Sequence, residues 1–180
     1  LAESLELVGL HTHIGTYIMA TSAYAIAASK LANLYVAIHR KFDTWLKYID
    51  LGGGFASKNT LKGAYMPGSE TCPSFDEYAE AISNALISSE IPHGHLPALF
   101  LETGRALIDD SGYLLTTVLA NKRLTSGRRA MVIDAGVNIL FTSFWYNLGV
   151  FPTKEVSDFS EEATIYGPLC MNIDVIREAV

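Results

Sequence analysis

The feature that most constrains the fold is the alternation of strand-like and helix-like segments in the first half of the chain. Residues 22–42 carry apolar side chains at the three- and four-residue spacing of an amphipathic helix. Ser74 and Glu77 form a capping-box sequence ahead of a second helix. The apolar runs that predict strands are residues 5–11, 45–51 and 96–102. Strands that alternate with helices predict a parallel sheet in an α/β arrangement.

The apolar faces of the two predicted helices should pack against that sheet. The predicted face residues are Leu31, Leu34, Tyr35 and Ile38 in the first helix, and Tyr78, Ile82 and Leu86 in the second. After Gly104 the pattern changes to short strand-like runs separated by turns. These runs are residues 113–124, 129–134 and 163–166. We therefore predict an α/β region over residues 1–110 and a β-rich region over residues 111–180.

Unusual residues follow all three predicted strands of the α/β region. The first strand leads into HTHIGT from His11, the second into DLGGGF from Asp50, and the third into ETGR from Glu102. In a parallel barrel these segments would lie at the C-terminal rim, where catalytic groups gather. The backbone N–H groups of Gly52–Gly54 suit a phosphate, and Arg105 adds a two-pronged donor.

Each of these segments also has a simpler interpretation when taken alone. Three glycines after a strand can be a plain tight turn, and ETGR can be a surface turn with an ion pair. His11 and His13 share one face of a strand and could bind a metal, but no acidic residue has matching spacing, so we predict no metal. Cys170 alone is more typical of a buried small apolar residue than of a reactive thiol.

Composition excludes several classes of protein. The 180 residues carry a net charge of -6 without a cluster of Lys and Arg, which disfavours a nucleic-acid partner. No apolar run approaches the length of a membrane helix. The two cysteines form a poor disulfide framework, so a reducing, cytoplasmic setting is expected.

Taken together and in order, HTHIGT, DLGGGF, ETGR and GPLC (Gly167–Cys170) resemble the fold-type III decarboxylases that depend on pyridoxal 5'-phosphate (PLP). This group includes diaminopimelate, ornithine and arginine decarboxylases. The resemblance implies the C-terminal part of a (β/α)8 TIM-like barrel over residues 1–110 and part of a β domain over residues 111–180. It also implies a PLP-dependent lyase that acts on an amino acid, as a homodimer with a shared active site.

The resemblance further implies a role for each motif residue. His13 would stack on the pyridine ring, Glu102 would pair with its nitrogen, and Cys170 would approach the reacting carbon from the partner subunit. His13 and Cys170 are therefore the implied catalytic residues. The implied cofactor-binding residues are His13, Thr16, Gly53, Gly54, Glu102, Gly104 and Arg105.

Departures from the family pattern generate further expectations. None of the lysines of the chain lies in the context of the family's Schiff-base lysine, so we expect a fragment of a longer protein. Those on or near the first helix and in the following loop are Lys30, Lys41, Lys47, Lys58 and Lys62. Met171 replaces a substrate-binding acid, and residues 137–146 contain aromatic residues but no Arg. We expect a bulkier or conjugated substrate rather than diaminopimelate, although these aromatic residues could equally serve packing.

Three alternative functions remain open at this point. A PLP-dependent racemase would use the same grip on the cofactor, although the thiol after Gly-Pro-Leu favours decarboxylation. A non-catalytic relative that binds PLP or partners would be consistent with the missing lysine. An α/β domain with coincidental motifs would need all four segments to occur in the family's order by chance.

Overall fold

The computed structural model describes residues 4–155 and 160–180. The chain divides into two compact units. The first comprises residues 1–58 and 71–110, and the second comprises residues 59–70 and 111–180. Among the described residues, no helix combines the length and the apolarity that crossing a membrane requires.

Residues 59–70 leave the α/β part of the chain and join the second unit. Leu61 forms an antiparallel bridge with Tyr146. Beside it, the N–H of Asn147 donates to the carbonyl oxygen of Thr60, with a distance of 2.8 Å. Backbone hydrogen bonds, rather than a periodic row of apolar side chains, attach this segment to the second unit. The sequence therefore showed no helical or strand pattern here.

A three-stranded parallel sheet forms the centre of the first unit, which confirms the predicted arrangement. Its strands, in spatial order, are β1 (Gly9–His11), β2 (Tyr48–Asp50) and β3 (Ala98–Phe100). The strands are shorter than the apolar runs. Backbone hydrogen bonds nevertheless continue beyond their ends, since the N–H of Glu102 donates to the carbonyl oxygen of Gly52 at 2.9 Å.

Two helices cover one face of this sheet. They are α1 (Thr21–Phe42) and α3 (Phe75–Ile87), and they share one core with the strands. The predicted face of α3 is confirmed, since Tyr78, Ile82 and Leu86 are buried.

The predicted face of α1 is wrong at Leu34, whose side chain is 47% exposed. Leu31 and Tyr35 are buried as predicted, and Ile38 packs against the core. The buried stripe also contains Ala27, Ala28 and Ala32, which the predicted face did not include.

The second unit contains a mixed four-stranded sheet, which confirms the β-rich prediction. Its strands, in spatial order, are β4 (Val118–Arg123), β5 (Arg129–Ile133), β6 (Ala163–Tyr166) and β7 (Val175–Arg177). β5 and β6 are parallel, and the two outer pairs are antiparallel. Sequence analysis missed β7 and the short helices α2 (Gly68–Thr71) and α4 (Gly104–Ile108), because three to five residues are too few to show a period. Single 3₁₀ turns occur at His93–His95 and Phe141–Phe144.

The capping box at the start of α3 is confirmed and gives a direct test of local stability. Ser74 Oγ accepts from the N–H of Glu77 at 3.2 Å, and a Glu77 carboxylate oxygen accepts from the N–H of Ser74 at 2.7 Å. We predict that Ser74→Ala lowers the free energy of unfolding by about 1 kcal/mol, measured by denaturant titration of the intact protein. Ser74→Thr keeps the acceptor and should cost much less; equal losses in both variants would contradict this account.

Candidate functional site

Three ionisable side chains from the three parallel strands meet on the sheet face that the helices leave open. His11 pairs in register with Asp50, and Asp50 pairs with Phe100. Glu102 lies two residues beyond Phe100, so the two-residue period of a strand places it on the same side. His11 Nδ1 is 3.1 Å from an Asp50 carboxylate oxygen, and ligand atoms of His11, Asp50 and Glu102 all lie within 4.8 Å of one another.

Such an imidazole and two carboxylates could also hold a divalent cation. Sequence analysis predicted no metal because it searched for an acid at a fixed spacing from His11 and His13. The acids that reach His11 instead come from neighbouring strands, which spacing along the chain cannot reveal. The trio is exposed or partly exposed, and exposed acidic groups commonly occur without a metal.

Side chains hold the glycine turn after β2 in place. The N–H of Gly52 donates to an Asp50 carboxylate oxygen at 2.8 Å. The N–H of Gly53 donates to His13 Nδ1 at 3.2 Å, so a neutral His13 ring carries its proton on Nε2. Tyr24 Oη donates to the carbonyl oxygen of Gly53 at 2.8 Å, and burial raises the pKa of this phenol, which keeps it a donor.

The same turn requires glycine because three strand ends pack there backbone to backbone. A Cβ on Gly53 would lie 2.5 Å from the carbonyl oxygen of Glu102, and one on Gly54 would overlap that of Gly15. Gly52 and Gly54 also have φ values of 66° and 86°, which favour glycine. The loops after β1, β2 and β3 therefore form one continuous backbone surface.

The remaining predicted residues of the first unit lie next to this surface. Gly104 and Arg105 begin α4, one residue after Glu102, and Thr16 is exposed in the loop between β1 and α1. Burial raises the pKa of Tyr17, and the nearby guanidinium of Arg105 lowers it, which places Arg105 close to the Thr16 loop. Sequence analysis did not select Tyr17. Its backbone has a left-handed φ of 55°, and the sequence around it contains no pattern that predicts this conformation.

Cys170 belongs to the second unit, where it is exposed in the loop between β6 and β7. The buried carboxylate of Asp174 lies in the same loop, and sequence analysis missed its role. A nearby segment carries Phe141, Phe144 and Trp145, all more than 40% exposed and in edge-to-face contact with one another around Trp145. Tyr146, in contrast, is fully buried, so the aromatic stretch serves packing at one position and exposes its rings at three.

Comparison with known proteins places this geometry in a class. Residues 1–109 match the family described as "Pyridoxal-dependent decarboxylase, pyridoxal binding domain". Diaminopimelate decarboxylase of Aquifex aeolicus is 31% identical over 177 residues, which cover 97% of this chain and 38% of that protein. Crystal structures of diaminopimelate decarboxylase from M. jannaschii and, complexed with L-lysine, from Helicobacter pylori superpose with TM-scores of 0.76 and 0.72. Both are 25% identical and cover 96% of this chain, but only 38% and 39% of theirs.

The fold is thus part of a (β/α)8 barrel followed by part of a β domain. The chain belongs to the PLP-dependent decarboxylases of fold type III, whose cofactor is PLP. It spans about 38% of the length of the curated relative from Aquifex aeolicus.

The close approach at Gly53 predicts how this candidate cofactor site responds to a single methyl group. Gly53→Ala should push the turn away from Glu102, at a cost of about 1–3 kcal/mol, and should weaken PLP binding about ten-fold or more. Titration of the intact apoprotein with PLP, followed by absorbance, measures this change. Gly94→Ala is the matched control, because a Cβ there meets open space. Unchanged PLP affinity in Gly53→Ala would contradict the role of the turn.

Proposed function

We propose that the intact protein decarboxylates an amino acid or an amino-acid conjugate with PLP as its cofactor. The observation that carries this proposal is the convergence of Glu102, His13 and the glycine turn on one rim. The combination of a carboxylate, an imidazole, close-packed glycines and a nearby guanidinium fits the ring, ring nitrogen and phosphate of PLP. The same combination does not require a metal, so we assign the rim to the cofactor.

Individual residues can be assigned to parts of the cofactor. We assign His13 to the face of the pyridine ring and Glu102 to its nitrogen. The phosphate is assigned to Thr16, Gly53, Gly54, Gly104 and Arg105. The N–H of Gly53 already donates to His13 Nδ1, so at this residue the assignment rests on close backbone approach rather than on an available donor.

The chemistry depends on where these residues hold protons. Bound PLP supplies an electron-accepting ring that stabilises the charge left when CO₂ departs from the substrate. Glu102 would hold a proton at the pyridine nitrogen, and its backbone is fixed for this by the bond from its N–H to Gly52. His11 and Asp50 lie beside Glu102 on the rim, with His11 Nδ1 3.1 Å from an Asp50 carboxylate oxygen.

The final proton transfer is assigned to Cys170. A thiol can act as a general acid toward the reacting carbon, and Cys170 is exposed in its loop. We propose that the partner subunit of a homodimer supplies this residue, as the resemblance implies. Decarboxylation is favoured over racemisation because the matched family is one of decarboxylases.

The observations that bear on the identity of the substrate point in two directions. Met171 and the exposed aromatic residues Phe141, Phe144 and Trp145 support a substrate bulkier or less charged than free diaminopimelate. The names of the relatives weigh against this expectation, since eight similar curated proteins are all named diaminopimelate decarboxylase. Diaminopimelate is therefore the second candidate substrate.

Release of CO₂ by the intact, PLP-loaded protein tests both substrates. The panel should contain meso-diaminopimelate, lysine, ornithine, arginine and their N-acylated and aromatic conjugates. Preferred turnover of a conjugate supports the first candidate, and efficient turnover of free diaminopimelate would replace it with the second. No CO₂ from any substrate, together with no covalent PLP adduct after borohydride reduction, would favour a non-catalytic relative.

Removing the charge of Glu102 should separate cofactor binding from turnover. Glu102→Gln preserves the shape of the side chain but cannot keep the pyridine nitrogen protonated, so kcat should fall about 100-fold or more. PLP occupancy, measured by absorbance, should change much less. Glu90→Gln removes an exposed carboxylate of the same unit that pairs with Arg40, and it should leave kcat unchanged. A wild-type kcat in Glu102→Gln would remove Glu102 from the chemistry.

A further inference from the structure

A single buried carboxylate holds the loop that carries Cys170. Asp174 is only 1% exposed. One of its carboxylate oxygens accepts from the N–H of Leu169 at 2.7 Å, and the other accepts from the N–H of Val137 at 2.8 Å. The carboxylate therefore ties the loop after β6 to the loop after β5.

The backbone of Asp174 adds two further bonds to the same loop. Its N–H donates to the carbonyl oxygen of Met171 at 3.2 Å, and its carbonyl oxygen accepts from the N–H of Gly167 at 3.0 Å. Leu169 and Met171 are the two neighbours of Cys170 in the sequence. Both are thus bonded to Asp174, and the exposed thiol between them has an anchored backbone on each side.

The site around the carboxylate leaves no room for adjustment. A Cβ on Gly136 would lie 2.8 Å from one Asp174 oxygen, and a Cβ on Gly167 would overlap the carboxylate. Burying a carboxylate is costly unless hydrogen bonds satisfy it, and bonds from N–H groups to an ionised acceptor are among the strong ones. A buried apolar residue of similar size would avoid this cost, but it could not order both loops.

We propose that Asp174 is a positioning residue that sets the location of the Cys170 thiol, and that its effect on kcat passes through Cys170. This inference rests on the proposed function, in which Cys170 donates a proton to the reacting carbon. A small displacement of a catalytic group can cost about 100-fold in rate, so a fixed backbone on both sides of Cys170 bears directly on kcat.

Hydrogen exchange of the intact wild-type protein is the first test, because it requires no variant to fold. The amides of Leu169 and Val137 should be strongly protected although both lie in loops, since each donates to a buried carboxylate. Asp174→Asn should accelerate exchange at both amides. Rapid exchange at Leu169 in the wild-type protein would overturn the proposal.

A double-mutant cycle on the intact, PLP-loaded protein tests whether Asp174 acts through Cys170. Asp174→Asn should lower kcat about 10- to 100-fold and change KM less than about two-fold. In the Cys170→Ser background the same change should have almost no further effect, because the group it positions is gone. An equal loss of kcat in both backgrounds would show a merely structural role and overturn the proposal.

Two further comparisons of variants distinguish a loss of stability, a failure of the positioning role and a failure of the proposed function. Ile133→Ala removes core packing in the same unit but leaves the hydrogen bonds of the Asp174 carboxylate in place, so it should lower the melting temperature but show additive, small effects on kcat. If Cys170→Ser lowers kcat and Asp174→Asn does not, the positioning role fails while the proposed function stands. If Cys170→Ser leaves kcat unchanged, the proton-donor role of Cys170 fails and the positioning role falls with it.

Discussion

The first unit depends on the close approach of three strand ends at a turn that only glycine can form. Gly53 packs against the backbone of Glu102, and Gly54 packs against that of Gly15. This contact brings the loops after β1, β2 and β3 into one surface. Parallel strand pairing then brings the ionisable side chains together. The register places His11 opposite Asp50, and the two-residue period of the strand places Glu102 on the same face. The chemistry of the rim follows from backbone geometry.

The second unit achieves the same end with a side chain instead of a backbone contact. There the carboxylate of Asp174 gathers the loops that carry Cys170 and the exposed aromatic residues, and Gly136 and Gly167 make room for it. Both units therefore use glycine to admit a polar group at close range. In the first, the group is a peptide carbonyl; in the second, it is a side-chain carboxylate.

Sequence analysis predicted those parts of the fold that local chemistry determines. The capping box of Ser74 and Glu77, the buried face of α3 and the parallel sheet all follow from patterns within a short window. Leu34 was assigned wrongly: it is exposed, while the smaller Ala27, Ala28 and Ala32 are buried, so side-chain hydrophobicity alone did not identify the buried face of α1. Sequence analysis did not predict β7 and α4, because these elements are too short to show a periodic pattern of apolar residues.

The candidate site was predictable where a motif names its residues and not where distant residues meet. The contact of Asp50 with His11 depends on strand register. The hydrogen bonds from Leu169 and Val137 to Asp174 depend on the conformation of two loops. No spacing rule contains either contact. The residues of the four motifs were found because each motif is contiguous, whereas the residues that position them lie elsewhere in the chain.

This division bears on how one scaffold can serve different substrates. The rim of the first unit is shaped by glycine and backbone contacts, so changing it disturbs the packing of three strands at once. Met171 and the exposed rings of Phe141 and Trp145 instead project from loops whose backbone is held by Asp174. Such side chains can change without moving the Cys170 loop. Under the proposed function, side chains on these loops would adapt the surface that meets the substrate, while the backbone contacts of the rim stay the same.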